Sequence, residues 1–114
     1  MNCNCIAGIT TYNPNMERLY LNVSAIAEQV EKVIIVDNGS ANINDISKKL
    51  SMFSNLEIIE NEKNMGIAYA MNKIGKYAES NGYEWFLTLD QDSICPNNLI
   101  DTYIKYIGKE VGII

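Results

Sequence analysis

Asp90 and Asp92 stand two residues apart in Leu89-Asp90-Gln91-Asp92-Ser93, directly after an apolar stretch, and this spacing is the sharpest chemical signal in the chain. At the end of an extended strand, residues i and i+2 project to one side, so the two carboxylates converge. Converging anions repel unless a cation lies near them. A hard divalent ion, Mg2+ or Mn2+, suits such oxygen donors, because it accepts one or two protein carboxylates and fills its remaining positions with water and substrate phosphate. The pair therefore points to a metal bridge to a diphosphate. The plainer alternative is structural, with Asp90 ending a strand and Asp92 capping a turn before Pro96.

Three further polar segments raise the same question. Thr10-Thr11-Tyr12-Asn13-Pro14 offers two hydroxyls and a flat aromatic face for a base. Asp37-Asn38-Gly39-Ser40 offers a carboxylate that can accept from a base imide or a ribose hydroxyl, in a turn that Asn-Gly would form without it. Asn64-Met65-Gly66 precedes a helix whose free N–H groups and positive dipole end can face a phosphate or ribose, and Gly66 permits close backbone approach. Each has an ordinary alternative: Tyr12 as packing at a rim, Asp37 as a turn residue, Gly66 as a permissive start to a helix.

The elements that must position these residues follow from hydrophobic periodicity. Cys5 to Thr10, Val33 to Val36, Leu56 to Glu60, Trp85 to Leu89 and Val111 to Ile114 are short apolar runs bounded by turn formers, the pattern of strands. Between them, Leu19, Val23, Ile26, Ala27 and Val30 share one helical face, as do Ile43, Ile46, Leu50 and Phe53, and then Ile67, Ala70, Met71, Ile74 and Ala78. A fourth helix is expected after Pro96, carrying Leu99, Ile100, Tyr103, Ile104 and Ile107. These stripes read as core. Strands alternating with helices predict an α/β fold with a mostly parallel, Rossmann-like sheet flanked by helices. Ligands of such sheets bind outside the carboxyl ends of the strands, where all four polar segments fall. The apolar Val111-Gly112-Ile113-Ile114 has nothing after it to cover it, so a natural chain that continues further is expected.

Composition narrows the function classes. The 114 residues suffice for one domain, and nine Lys plus Arg against fourteen Asp plus Glu give a net charge of -5. A nucleic-acid groove or ionic docking to an anionic membrane would need a basic patch, and none longer than Lys48-Lys49 is present. The chain has no histidine, which removes histidine catalysis and histidine zinc ligation. Cys3, Cys5 and Cys95 form no disulfide framework by count and no paired zinc knuckle; Cys3 and Cys5 read as buried small hydrophobes. Met1-Asn2-Cys3-Asn4 lacks a basic segment followed by a long apolar run, and no apolar run reaches spanning length, so a soluble, cytoplasmic protein without a signal peptide is expected.

The order T-Y-N-P, V-D-N-G-S, N-x-G-x-A-x-A-x-N (Asn64, Gly66, Ala68, Ala70, Asn72) and L-D-Q-D-S resembles the donor-binding half of the inverting GT-A glycosyltransferases, most closely the bacterial rhamnosyltransferases. Each motif alone is weak, but the four in this order, running from about Ile6 to the end of the chain, are specific. The resemblance implies that residues 1–114 form a single nucleotide-sugar-binding domain, with the acceptor-binding half absent. It implies that Thr10 and Tyr12 line the base pocket, with Thr11 beside them among the nucleotide-binding residues, that Asp37 binds base or ribose, that Asn64 and Gly66 lie along the nucleotide, and that Asp90 and Asp92 hold ribose and metal-diphosphate. L-D-Q-D-S further implies dTDP-rhamnose as donor. The implied partners are that nucleotide sugar and a glycan or lipid-linked acceptor in polysaccharide synthesis, the full-length enzyme sitting in the cytoplasm or at the inner face of the membrane.

Inverting transfer needs a carboxylate base for the acceptor hydroxyl. After Asp92 only Asp101 and Glu110 remain, and neither matches the implied position, so no base is assigned and these residues alone are expected to bind donor without efficient transfer. Two rivals stand beside this reading. Asp90-Gln91-Asp92-Ser93 also resembles the D-x-D-x-T/S motif of haloacid-dehalogenase-like phosphatases, but that family places it after its first strand. The other rival is a non-catalytic nucleotide-binding module that acts with a partner chain.

Overall fold

In the computed structural model, which describes residues 5–92 and 112–113, the apolar runs are strands and the stretches between them helices. The order is β1 (Cys5–Thr11), α1 (Met16–Ala27), β2 (Lys32–Asp37), α2 (Ile43–Leu50), β3 (Leu56–Glu60), α3 (Ile67–Ser80), β4 (Trp85–Asp90) and β5 (Gly112–Ile113). The sheet runs β3-β2-β1-β4-β5, and every pairing is parallel. This is the expected α/β, Rossmann-like architecture. The fourth helix expected after Pro96, and the cysteines Cys3 and Cys95, lie outside the described residues.

Three strands extend beyond the expected apolar runs, because pairing continues into the polar residues. The β1–β2 register ends at Thr11 opposite Asp37, and the β1–β4 register ends at Thr10 opposite Asp90. The residues singled out for chemistry are thus tied into the ladder itself. At the start of α1, Asn15 accepts from the Arg18 N–H at 3.1 Å, a side-chain cap that replaces a missing intrahelical partner.

Successive side chains on a strand point to opposite faces, and the sheet has a core on each. Cys5, Ala7, Ile9, Val33, Ile35, Trp85 and Leu87 pack with Leu19, Val23, Ile26, Ile46 and Leu50 of α1 and α2. Ile6, Ile34 and Val36 pack on the other face with Ala70, Ile74 and Ala78 of α3. Gly8 lets α3 come close: a Cβ there would sit 2.4 Å from the Ile74 side chain. Val30 and Phe53 lie beyond α1 and α2, yet both belong to or pack on the first core. Ile67 departs from its expected core position and is 66% exposed, because it starts α3 at the sheet edge, where it joins the strand-end residues around a cleft. Cys5 is buried as expected but is disulfide-bonded, which corrects its reading as a simple small hydrophobe.

The topology reverses at β1. From β1 the chain builds outward through β2 to β3, and then crosses back over α3 to β4 on the other side of β1. A parallel sheet opens a crevice at such a switch point, beyond the carboxyl ends of the two diverging strands.

Candidate functional site

A cleft of about 620 Å3 occupies that crevice, within the size range of small-molecule sites. It is lined by Thr10 and Tyr12 at the end of β1, Asn38 after β2, Asn64, Gly66, Ile67 and Met71 around the start of α3, and Thr88 to Asp92 at the end of β4. Six of the residues singled out from sequence therefore meet in one cavity: Thr10, Tyr12, Asn64, Gly66, Asp90 and Asp92.

Thr11 and Asp37 stand outside it. Asp37 is 1% exposed, its Oδ1 accepting from Thr11 Oγ1 at 2.7 Å and Ser40 Oγ at 2.6 Å, and its Oδ2 accepting from the Ser40 N–H at 2.8 Å. Both oxygens are engaged, so the geometry makes Asp37 the anchor of the turn after β2. The Ser40 hydroxyl also accepts from the Asn13 N–H, and Asn13 Oδ1 accepts from the Ala41 N–H, both at 2.8 Å. Asn13 holds φ 45, a left-handed conformation that asparagine tolerates better than most residues. The loop after β1 is thereby stapled to the loop after β2.

Strand parity explains this division. Thr11 and Asp37 continue the series Cys5, Ala7, Ile9 and Val33, Ile35, which faces α1 and α2. Thr10, Asn38, Thr88 and Asp90 occupy the opposite parity, toward α3, and all line the cleft. Asn38 and Thr88 were not singled out as ligand contacts, although this alternation could have marked them.

Asn38 also holds the loop leading to α3. Its Oδ1 accepts from Asn61 Nδ2 at 2.8 Å and from the Met65 N–H at 3.4 Å, and its Nδ2 donates to the Gly66 carbonyl at 3.4 Å. Asn64 Oδ1 accepts from the Gly66 N–H at 2.8 Å, turning the chain into α3 with Gly66 at φ 87. No acidic residue lies in the first turn of α3, so its positive dipole end is not neutralised there.

The acidic turn is held mainly through its backbone. Asn22 Nδ2, buried on α1, donates to the Asp90 carbonyl at 2.8 Å, and Arg18 Nη1 lies 3.5 Å from the Asp92 carbonyl. Gln91 faces Tyr12, its amide accepting from the Tyr12 N–H at 2.8 Å and donating to the Tyr12 carbonyl at 3.3 Å. The Asp90 and Asp92 carboxylates are exposed and have no hydrogen-bond or ion-pair partner among the described residues. Among the described residues no Lys or Arg lines the cleft, and the charged side chains that do are Asp90 and Asp92. No group of three His, Cys, Asp or Glu side chains gathers among the described residues, and of these residues Asp90 and Asp92 are the carboxylates that line the cleft.

A parallel α/β sheet with a polar crevice at its switch point is the architecture of the Rossmann-like folds. Residues 7–114 match Glycosyl transferase family 2, and the chain belongs to that family, with the GT-A form of the fold. It is 34% identical over 110 residues to the dTDP-rhamnosyl transferase RfbF of Shigella flexneri; the match covers 96% of this chain and 36% of that protein's length. No helix among the described residues is long and apolar enough to cross a membrane.

Proposed function

We propose that residues 1–114 form the nucleotide-sugar-binding domain of an inverting glycosyltransferase, and that the donor is a nucleoside diphosphate sugar of the dTDP-rhamnose type. The meeting of Thr10, Tyr12, Asn64, Gly66, Asp90 and Asp92 in one cleft, in a chain of this family, carries the reading. Tyr12, 48% exposed, offers its ring to the base. Thr10 and Asn64 offer hydrogen bonds along the nucleoside, and the start of α3 at Gly66 presents backbone N–H groups to phosphate. Asp37 and Thr11 act behind this wall by fixing the turn that carries Asn38.

A divalent cation fits the acidic pair. Among the described residues, Asp90 and Asp92 supply two solvent-facing carboxylates without a partner, in a cleft lined by no basic side chain. Mg2+ and Mn2+ are held in this way, with substrate phosphate completing the shell. When bound, the ion would supply positive charge to the departing nucleoside diphosphate. A glycan or lipid-linked acceptor, and the base that deprotonates its hydroxyl, would be provided by the whole protein. The name of the rhamnosyl transferase relative supports the donor assignment.

The test is a thermal-shift titration with dTDP, UDP and GDP, with and without Mn2+, on the wild type and Asp92→Ala. A ligand that binds only the folded state raises its stability as occupancy grows. We expect dTDP to raise the melting temperature only when Mn2+ is present, and Asp92→Ala to abolish the gain. Equal stabilisation in EDTA would overturn the metal assignment, and no response to any nucleotide would overturn the donor site.

A further inference from the structure

We propose that Gln91 is a positioning residue that couples the aromatic wall of the cleft to the acidic pair, so that a nucleoside at Tyr12 and a cation at Asp90 and Asp92 strengthen each other's binding without touching. This rests on the nucleotide-binding reading above. Backbone pairing between β1 and β4 ends at Thr10 opposite Asp90. Beyond that point the Gln91 side chain takes over, closing on both the N–H and the carbonyl of Tyr12 at 2.8 and 3.3 Å. A primary amide carries one acceptor and two donor hydrogens, so it can hold both groups of one peptide residue and fix its rotation as well as its distance.

Gln91 lies between the two carboxylates in sequence. A shift of the Tyr12 backbone is therefore passed to the residue whose neighbours on either side are Asp90 and Asp92. The far side of the turn is tethered to α1, through Asn22 to the Asp90 carbonyl and Arg18 to the Asp92 carbonyl. With one side anchored on a helix, ordering of the other side by Tyr12 narrows the positions the carboxylates explore. A first ligand that orders this unit lowers the entropy cost met by the second, which is positive coupling.

The experiment uses thymidine, which has no phosphate to bridge to a metal. Mn2+ affinity is measured by calorimetry with and without thymidine, and thymidine affinity with and without Mn2+. In the wild type each should tighten the other by the same factor, about fivefold, because coupling is reciprocal. Gln91→Met preserves the side chain's length but removes both hydrogen bonds; it should still bind Mn2+ and Mn2+-dTDP, with the thymidine coupling reduced to one. If that variant fails to fold, Gln91→Asn, too short to reach both Tyr12 groups, is measured instead with the same expectation. Mn2+ affinity unchanged up to the solubility limit of thymidine, or coupling that survives in the variant, overturns the inference while leaving the donor site standing. A wild type that binds neither Mn2+ nor dTDP removes the underlying reading and this inference together.

Discussion

Thr11 donates its hydroxyl to Asp37 across 2.7 Å where β1 and β2 end side by side, and both side chains are buried. Replacing Asp37 with Ala would leave the Thr11 hydroxyl, the Ser40 hydroxyl and the Ser40 N–H without their acceptor. A buried group stripped of its partner loses its solvation without return, so we expect a stability loss of about 2–4 kcal/mol by urea denaturation. Asp37→Asn keeps one acceptor and should lose less. An unchanged unfolding midpoint for Asp37→Ala would show that the turn does not depend on this carboxylate.

Gly8→Ala tests how closely α3 lies on the sheet. The added methyl would meet the Ile74 side chain at 2.4 to 2.6 Å, far inside van der Waals contact. Overpacking of this kind costs about 1–3 kcal/mol. Combining Gly8→Ala with Ile74→Ala should cost less than the sum of the two single changes, because the cavity left by one accepts the methyl of the other. Strict additivity in a double-mutant cycle would mean that the helix moves away as a body.

Tyr12→Ala separates side chain from backbone at the rim of the cleft. The ring is half exposed, whereas the contacts to Gln91 use only the Tyr12 backbone. Stability should hardly change, while calorimetric dTDP affinity should fall about tenfold, the scale of one lost base–aromatic stack. Tyr12→Phe should bind like the wild type. A similar loss in Phe and Ala variants would place the nucleotide on the hydroxyl rather than on the ring face.

A second group of residues contributes to the alkaline behaviour of the fold. Lys32, at the start of β2, lies 3.3 Å from Glu57 and 5.6 Å from the centre of the Tyr77 ring, and Tyr83 stacks on Tyr77. Tyr77 first, and then Glu57 against the cost of desolvation, hold the Lys32 ammonium above its ordinary 10.5, and burial pushes the Tyr83 hydroxyl above its ordinary 10.0. Both groups keep their protons longer in the folded chain than in the unfolded one. Their contribution is therefore complete below the unfolded values and is lost as pH rises from 10.0 through 10.5 and the higher folded values. The melting temperature should fall across this range, and less steeply in Lys32→Met. An equal slope in that variant would exclude Lys32 from the effect.

Much of the architecture was legible because it depends on local period. The span of β3, Leu56–Glu60, follows directly from its apolar run, and the three helices fall where apolar residues recur at helical spacing. The gathering of four polar segments at one sheet edge follows from parallel strands, whose carboxyl ends all point the same way. Even the separation of Thr10 from Thr11 was present in the alternation that sends Cys5, Ala7 and Ile9 to one face.

The chain's periodicity and turn residues determined which strands and helices form and which residues reach the strand ends. Tertiary structure alone decided which of those residues turn toward one another. Gln91 closes on Tyr12 from 79 residues away, and Asn22 reaches the Asp90 carbonyl across 68. Neither pairing leaves a local pattern, because a hydrogen bond acts over about 3 Å of space irrespective of the length of chain between its partners. The motif therefore revealed the two carboxylates, and only the folded sheet revealed the glutamine between them as a clasp.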